Sequence, residues 1–290
     1  MHRKNKADRA ARRAAKEERR RNRTKGQKIR DRAMNVIMFC LIGIIAVSGF
    51  NVGKSVYNYW KARHAYNQIS KEAKVDPDQF TGVVDFDALR KENPDVQAWL
   101  YQKNTVINYP VVQGEDNDTY LHTGFNRKPS GSGTLFVDYR CPANFKGFNT
   151  IIYGHHMYDG SMFRSLRGYT KTSGYYDKHK TLELITPSGK YHLVVFASYI
   201  TPATGDAYTY EFASGEEKQS FIDNAFKRSK IDVSKNDVPV TTKDRMVTLS
   251  TCAYDYDEAR YVVICKMVPW TSKEIAAGEE LQAKIDRQSK

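Results

Sequence analysis

The sequence is poor in cysteine. Cys40, Cys141, Cys252 and Cys265 are the four in 290 residues. None belongs to a CxxC pair and no Cys/His cluster has zinc spacing, so neither a metal nor any other cofactor is expected. A chain this long with so few cysteines also has no disulfide framework in prospect. Net charge is missing from most of the chain as well. Residues 1–33 hold 15 Lys/Arg against 4 Asp/Glu, whereas the other 257 residues hold 31 against 29. The overall +13 therefore says little about what the bulk of the chain binds. There is no internal repeat and no second long apolar run. The length suffices for one large domain or two small ones.

One apolar run is present. Residues 34–52 carry no charge, which suits a single crossing of a bilayer's hydrocarbon core. A cleaved signal peptide would have a shorter apolar stretch with a small-residue cleavage site just after it, and Ala46-Val47-Ser48 is a poor one. The basic tail, residues 1–33, reads as disordered or loosely helical. A nucleic-acid-binding arm is the alternative for such a tail, but the span that follows argues against it. Basic residues before a span put the N-terminus in the cytoplasm and the rest of the chain outside. Residues 53–79 read as a helix leaving the membrane, with Tyr57, Tyr59 and Trp60 at the interface. Asp76-Pro77-Asp78 breaks that helix and marks a boundary.

Residues 80–270 read as mostly β. After a short helix over Asp85–Glu92 come eight β-rich runs: Val96–Tyr101, Val106–Gln113, Gly133–Val137, Thr150–Tyr153, Thr181–Thr186, Lys190–Tyr199, Arg245–Ser250 and Tyr261–Val268. Eight short strands with little helix between them suggest a barrel or sandwich. A long excursion from Thr201 to Lys243 interrupts the pattern. Within it Phe221, Ile222, Ala225 and Phe226 have helical spacing. Excursions of this length within a compact domain are often functional. Residues 271–290 read as a charged terminal helix or tail.

The chemistry gathers near the C-terminal end of this region. Cys252 stands where one predicted strand ends and Arg260 where the next begins, so a hairpin would bring thiol and guanidinium to one end of a sheet. A thiolate beside a cation is suited to acyl transfer, because the cation stabilises the thiolate and can hold a developing oxyanion. The alternative is a small apolar Cys closing a strand, with Arg as a solvated flank. Upstream, the Thr150–Tyr153 strand delivers Gly154-His155-His156-Met157. A histidine near Cys252 could serve as base and then acid, and alternation along an extended strand lets only one of the two face the thiol. Neither has a carboxylate or thiol partner at metal-ligand spacing.

Thr248-Leu249-Ser250-Thr251-Cys252, the Arg opening the next strand, and Tyr153-Gly154-His155-His156-Met157 together resemble the sortase family, class B. Asn93-Pro94-Asp95 with Trp99, Tyr109-Pro110-Val111-Val112-Gln113 and Asp116-Asn117-Asp118-Thr119-Tyr120-Leu121 resemble further stretches of that class. The resemblance runs over about residues 84–268. It implies an eight-stranded sortase-type barrel with N-terminal helices, a helix in the long loop between strands 6 and 7, and a single N-terminal transmembrane helix. It implies Cys252 as nucleophile, His155 as general acid/base and Arg260 as the oxyanion-holding or substrate-positioning cation. Asn117, Leu121, Tyr153 and Ser250 would line the substrate groove, and the 201–243 loop would read the sorting signal. Arg245, which precedes the Cys252 strand, is the wrong cation by this match.

The implied activity is transpeptidation. A sorting signal, Asn-Pro-x-Thr-like or Ser-Pro-x-Thr-like, would be cleaved after Thr through a Cys thioester. The surface protein bearing it would pass to an amine of peptidoglycan or its lipid-linked precursor. Nucleic acid is not an expected partner. Two other readings remain. A papain-like peptidase would place Cys before His, with Cys at a helix N-terminus. A non-catalytic tethered β-domain would hold Cys252 buried and unreactive.

Overall fold

The structure, a computed structural model, describes residues 2–22, 24–253, 255 and 257–288. The chain divides into two compact units, one ending at Tyr57 and the other beginning at Asn58. The basic segment forms α1 (His2–Arg21) and the apolar run lies in α2 (Lys25–Glu72). The tail is thus regularly helical where it is described, in keeping with its content of Ala, Arg, Lys and Glu, all good helix formers. Within α2 an 18-residue window has a mean hydropathy of 2.3 and none of it is buried, so the helix is long and apolar enough to cross a membrane.

The second unit is a closed barrel of eight strands. They are β1 (Val96–Tyr101), β2 (Asn108–Val112), β3 (Leu135–Val137), β4 (Asn149–Tyr153), β5 (Thr181–Thr186), β6 (Gly189–Pro202), β7 (Met246–Cys252) and β8 (Ala259–Pro269). Around the barrel they run β1-β2-β3-β4-β7-β8-β6-β5. Each predicted run corresponds to one strand. Most neighbours are antiparallel, but β2–β3 and β4–β7 are parallel. Pro110 lies inside β2, where a missing N–H would normally break a ladder. It is tolerated because β3 pairs only with Val111 and Val112.

Alternation along the strands separates two cores. Val247 and Leu249 of β7 and Val263, Cys265 and Met267 of β8 join the main cluster with Trp99 and Leu184. Met246 of β7 and Val262 and Ile264 of β8 pack instead with Phe221, Ile222 and Ala225. Those three come from the helix in the long excursion, Gly215–Arg228. It contains the four residues whose spacing is helical, and it is capped by Ser214, whose hydroxyl accepts from the Glu217 N–H at 3.2 Å. Even-numbered β7 residues, Cys252 among them, therefore share the face that carries this excursion, not the main core.

Helices frame the barrel. The predicted Asp85–Glu92 helix is α3 (Phe86–Glu92), capped by Asp85 and stopped at Asn93 before Pro94. A single turn, α4 (Thr119–His122), lies between β2 and β3. Between β4 and β5 the chain forms a 3-10 turn (Phe163–Arg167), then α5 (Gly168–Lys171) and α6 (Tyr175–Lys178), which the sequence pattern did not suggest. The excursion helix is α7, and the terminal segment is α8 (Ser272–Gln288). Packing on the barrel begins well before the Asp76-Pro77-Asp78 break. Tyr66, Ile69 and Ala73 are buried in the main core, and the Tyr66 hydroxyl donates to the Gly133 carbonyl.

Candidate active site

β7 and β8 form the hairpin expected from the sequence, and their register sets Cys252 directly opposite Arg260. Directly opposed residues of an antiparallel pair project to the same face, with Cβ atoms roughly 4.5–5.5 Å apart. Thiol and guanidinium thus share one end of the sheet. The ladder continues past both, with the Ala253 N–H donating to Ala259 at 2.8 Å. Cys252 is half-buried while Cys141 and Cys265 are buried. Burial pushes the Cys141 thiol up to about 11 and raises that of Cys265 as well. Neither is suited to forming a thiolate.

Arg260 is held near the thiol by two contacts. Its Nη1 donates to the Ala259 carbonyl and its Nη2 to Glu258 Oε2, each at 3.0 Å. Glu258 is 75% exposed, so this ion pair is easily exchanged for another acceptor. Within the loop, Asp255 accepts from Lys171 and from the Tyr261 hydroxyl. Tyr254 and Tyr256 lie outside the described residues. Arg245 lies at the far end of β7, donating to the Phe145 carbonyl and covering Tyr191.

β4 delivers the histidines. It runs parallel to β7 with Tyr153 beside Ser250, and the Gly154 N–H extends the ladder by donating to the Ser250 carbonyl at 3.0 Å. Only glycine fits at 154, because a Cβ would lie 2.4 Å from Leu135 and 2.7 Å from Phe163. The two imidazoles then diverge. His155 is half-buried, and its Nε2 donates to the Leu121 carbonyl at 2.8 Å. His156 is buried, stacks on Tyr261 with centroids 5.8 Å apart, and hydrogen-bonds the Cys252 backbone. Burial, with the cations Arg164 and Arg167 nearby, holds the His156 imidazole below its usual pKa.

One cleft of about 330 Å³ takes in all seven residues singled out from the sequence: Asn117, Leu121, Tyr153, His155, Ser250, Cys252 and Arg260. Asn117 precedes the α4 turn and Leu121 lies within it, and both line the cleft. The cleft also takes in Phe136, Ala203, Tyr208 and Thr251, which sequence reasoning missed. Tyr208 sits in the excursion, where no periodicity points to a single residue. The wall at Tyr153 is braced from behind. Its hydroxyl donates to Asp138 at 2.9 Å, and Arg140 grips the same carboxylate at 2.7 and 2.9 Å. Burial pushes the Asp138 carboxyl up, but the bonds from Arg140, Asn117 and Tyr153 outweigh that and hold it below the usual range.

Such a site can perform covalent acyl transfer. A thiol, a cation opposite it and an imidazole share one cleft. Cys252 ends a strand and His155 follows one, unlike the papain-like order. Comparison with known proteins agrees. The family model for the Sortase domain matches residues 102–268. Sortase B of Staphylococcus aureus is 34% identical over 241 residues, 82% of this chain and 97% of that one. Sortase B of Listeria monocytogenes is 34% identical over 237 residues, 79% and 94% of the two chains. Among solved structures, the S. aureus sortase B–substrate complex superposes with a TM-score of 0.65 at 34% identity, covering 74% of this chain and all of that one. Bacillus anthracis sortase B in complex with AAEK1 gives 0.64 at 33% identity, with the same coverage.

Proposed function

This chain belongs to the sortase family and is a cysteine transpeptidase of the class B type; from that premise we propose that it joins surface proteins to the cell wall from a membrane anchor. The Cys252 thiolate attacks the carbonyl of a Thr–X bond in a C-terminal sorting signal. Arg260 donates to the oxygen that becomes negative in the tetrahedral intermediate. His155 gives a proton to the leaving amine as the C–N bond breaks, leaving a thioester on Cys252. An amine of peptidoglycan or its lipid-linked precursor then attacks the thioester, His155 takes its proton, and the Cys252 thiolate departs. Asn117, Leu121, Tyr153 and Ser250 line the groove for the signal.

The observation that carries this reading is the cross-strand pairing of Cys252 with Arg260 at the mouth of a cleft shared with His155. His155 reaches its role by exchanging the Leu121 carbonyl for the thiol or leaving group, since catalytic hydrogen bonds often tighten only once substrate is bound. The Arg260–Glu258 contact is weak enough to yield to an oxyanion. For the location, support comes from the uncharged run at 34–52 and the basic excess before it, which favour a single crossing with the N-terminus in the cytoplasm and the barrel outside.

The test is product analysis. The protein is incubated with peptides carrying Asn-Pro-x-Thr and Ser-Pro-x-Thr signals, with and without triglycine, a ligand that another sortase B structure contains. Transfer predicts a new amide product whose yield rises with the amine. Hydrolysis alone, unchanged by added amine, would make the chain a peptidase.

A further inference from the structure

We propose that Asn149 and Thr248 are positioning residues for peptide recognition: together they lock the segment carrying Tyr208 onto the strand carrying Cys252. The proposal rests on the reading above only in taking the cleft as the peptide's site.

Asn149 opens β4 and is wholly buried. Its side-chain Nδ2 donates to the carbonyls of Ala207 at 3.2 Å and Thr209 at 2.9 Å, and its Oδ1 accepts from the Thr248 hydroxyl at 2.8 Å. Carbonyls only accept, so the amide's orientation is fixed by its partners. Both donors thus go to the residues either side of Tyr208, in a loop otherwise outside the barrel ladder. Thr248 is equally buried and lies two and four residues before Ser250 and Cys252 on the same face of β7.

Tyr208 is then held from two further sides. Its hydroxyl bonds the Ser250 hydroxyl at 2.8 Å, and its ring stacks on Tyr153 with centroids 6.1 Å apart and planes 12° apart. Next to it, Asp206 pairs with Arg228 of α7, whose Nη2 also reaches Thr201. Asn149 and Thr248 touch neither the thiol nor the cleft. What they determine is the separation between the Tyr208 wall and the Cys252 strand, hence how well the cleft grips an extended peptide. Joining β4 to β7 does not require their side chains, because the backbone register of the two strands already does that. An apolar pair would fill the same space without reaching the loop.

The experiment uses the full chain in detergent micelles and three variants. Thr248→Val removes the hydroxyl at nearly constant volume. Asn149→Asp puts an acceptor against the two carbonyls. Thr248→Ser keeps the hydroxyl. Active protein is counted by titrating Cys252 with an alkylating agent, and kcat and KM are measured on the best cleaved sorting peptide. Thr248→Val and Asn149→Asp are expected to raise KM about tenfold, as the loss of one buried hydrogen bond implies. The Cys252 alkylation rate should stay unchanged, and Thr248→Ser should match the native protein. Hydrogen exchange at the Gly205, Tyr208 and Thr209 amides should quicken in the first two variants while β6–β8 stay protected. Native KM in both variants, or a parallel fall of kcat, alkylation rate and β6–β8 protection, overturns the proposal. If the native chain cleaves no sorting peptide, the functional reading fails, and the exchange measurement alone decides the lock: unchanged exchange at 205–209 overturns it.

Discussion

Replacing Arg260 with Lys keeps the charge beside Cys252 and removes the planar fork. Two terms compete in the outcome. The ion pair Arg260 makes in the free protein is with Glu258, which is 75% exposed, and such pairs contribute about 0–1 kcal/mol. Donation to a developing oxyanion contributes roughly 2.7–4 kcal/mol, about two to three orders of magnitude in rate. The second term is several times the first, so the loss should appear in turnover. An ammonium on a flexible stem can tune the thiol but cannot reproduce a guanidinium's two fixed N–H directions. Arg260→Lys should therefore lower kcat on a sorting peptide by about 10²-fold or more, with the rate of Cys252 alkylation changed far less. Arg260→Ala should lower both. Glu258→Gln should change turnover by no more than roughly fivefold, the equivalent of about 1 kcal/mol. Near-normal turnover in the Lys variant would refute the oxyanion role and leave only electrostatic tuning of the thiol.

Three further outcomes are expected. A chain beginning at Asn58 should be markedly more stable by thermal melting than one beginning at Asp76, because the shorter chain loses Tyr66 and Ile69 from the core, each contributing on the order of 1.5–3 kcal/mol; equal melting temperatures would contradict that packing. His155→Ala should lose about 10²–10⁴-fold in acylation rate, whereas His156→Ala, which removes the stack on Tyr261 and the bond to the Cys252 backbone, should lose far less; comparable losses would contradict the assignment of His155. The Asp138 carboxyl is held low in the folded state, so its bonds to Arg140 and Tyr153 stabilise the protein above the ordinary carboxylate range and are lost as pH falls through the lowered value; near-UV circular dichroism should show Asp138→Asn less stable at neutral pH and less sensitive to acid than the native protein.

The strands were legible because each is a short run of β-formers bounded by turn residues, and the hairpin that pairs Cys252 with Arg260 is local in sequence. The order around the barrel was not legible. The parallel β4–β7 contact joins residues about a hundred positions apart, with Asn149 beside Met246, and no local pattern encodes it. That contact is what brings His155 to the cleft, so the histidine's place rested on family resemblance. Tyr208, its support Asn149 and the Asp138 that braces Tyr153 were missed for the same reason: their roles come from hydrogen bonds between distant segments. The segment holding Tyr66, Ile69 and Ala73 was read only as a helix leaving the membrane, because the Asp76-Pro77-Asp78 break drew the boundary downstream of their packing.

The central claim is that Cys252 carries the acyl group. Mass spectrometry of the protein incubated with a sorting peptide and no amine acceptor tests it directly. The account predicts an adduct equal in mass to the peptide portion up to Thr, attached at Cys252, discharged by added amine and absent in Cys252→Ala. Cleavage of the peptide by Cys252→Ala, or an adduct located on another residue, would contradict it.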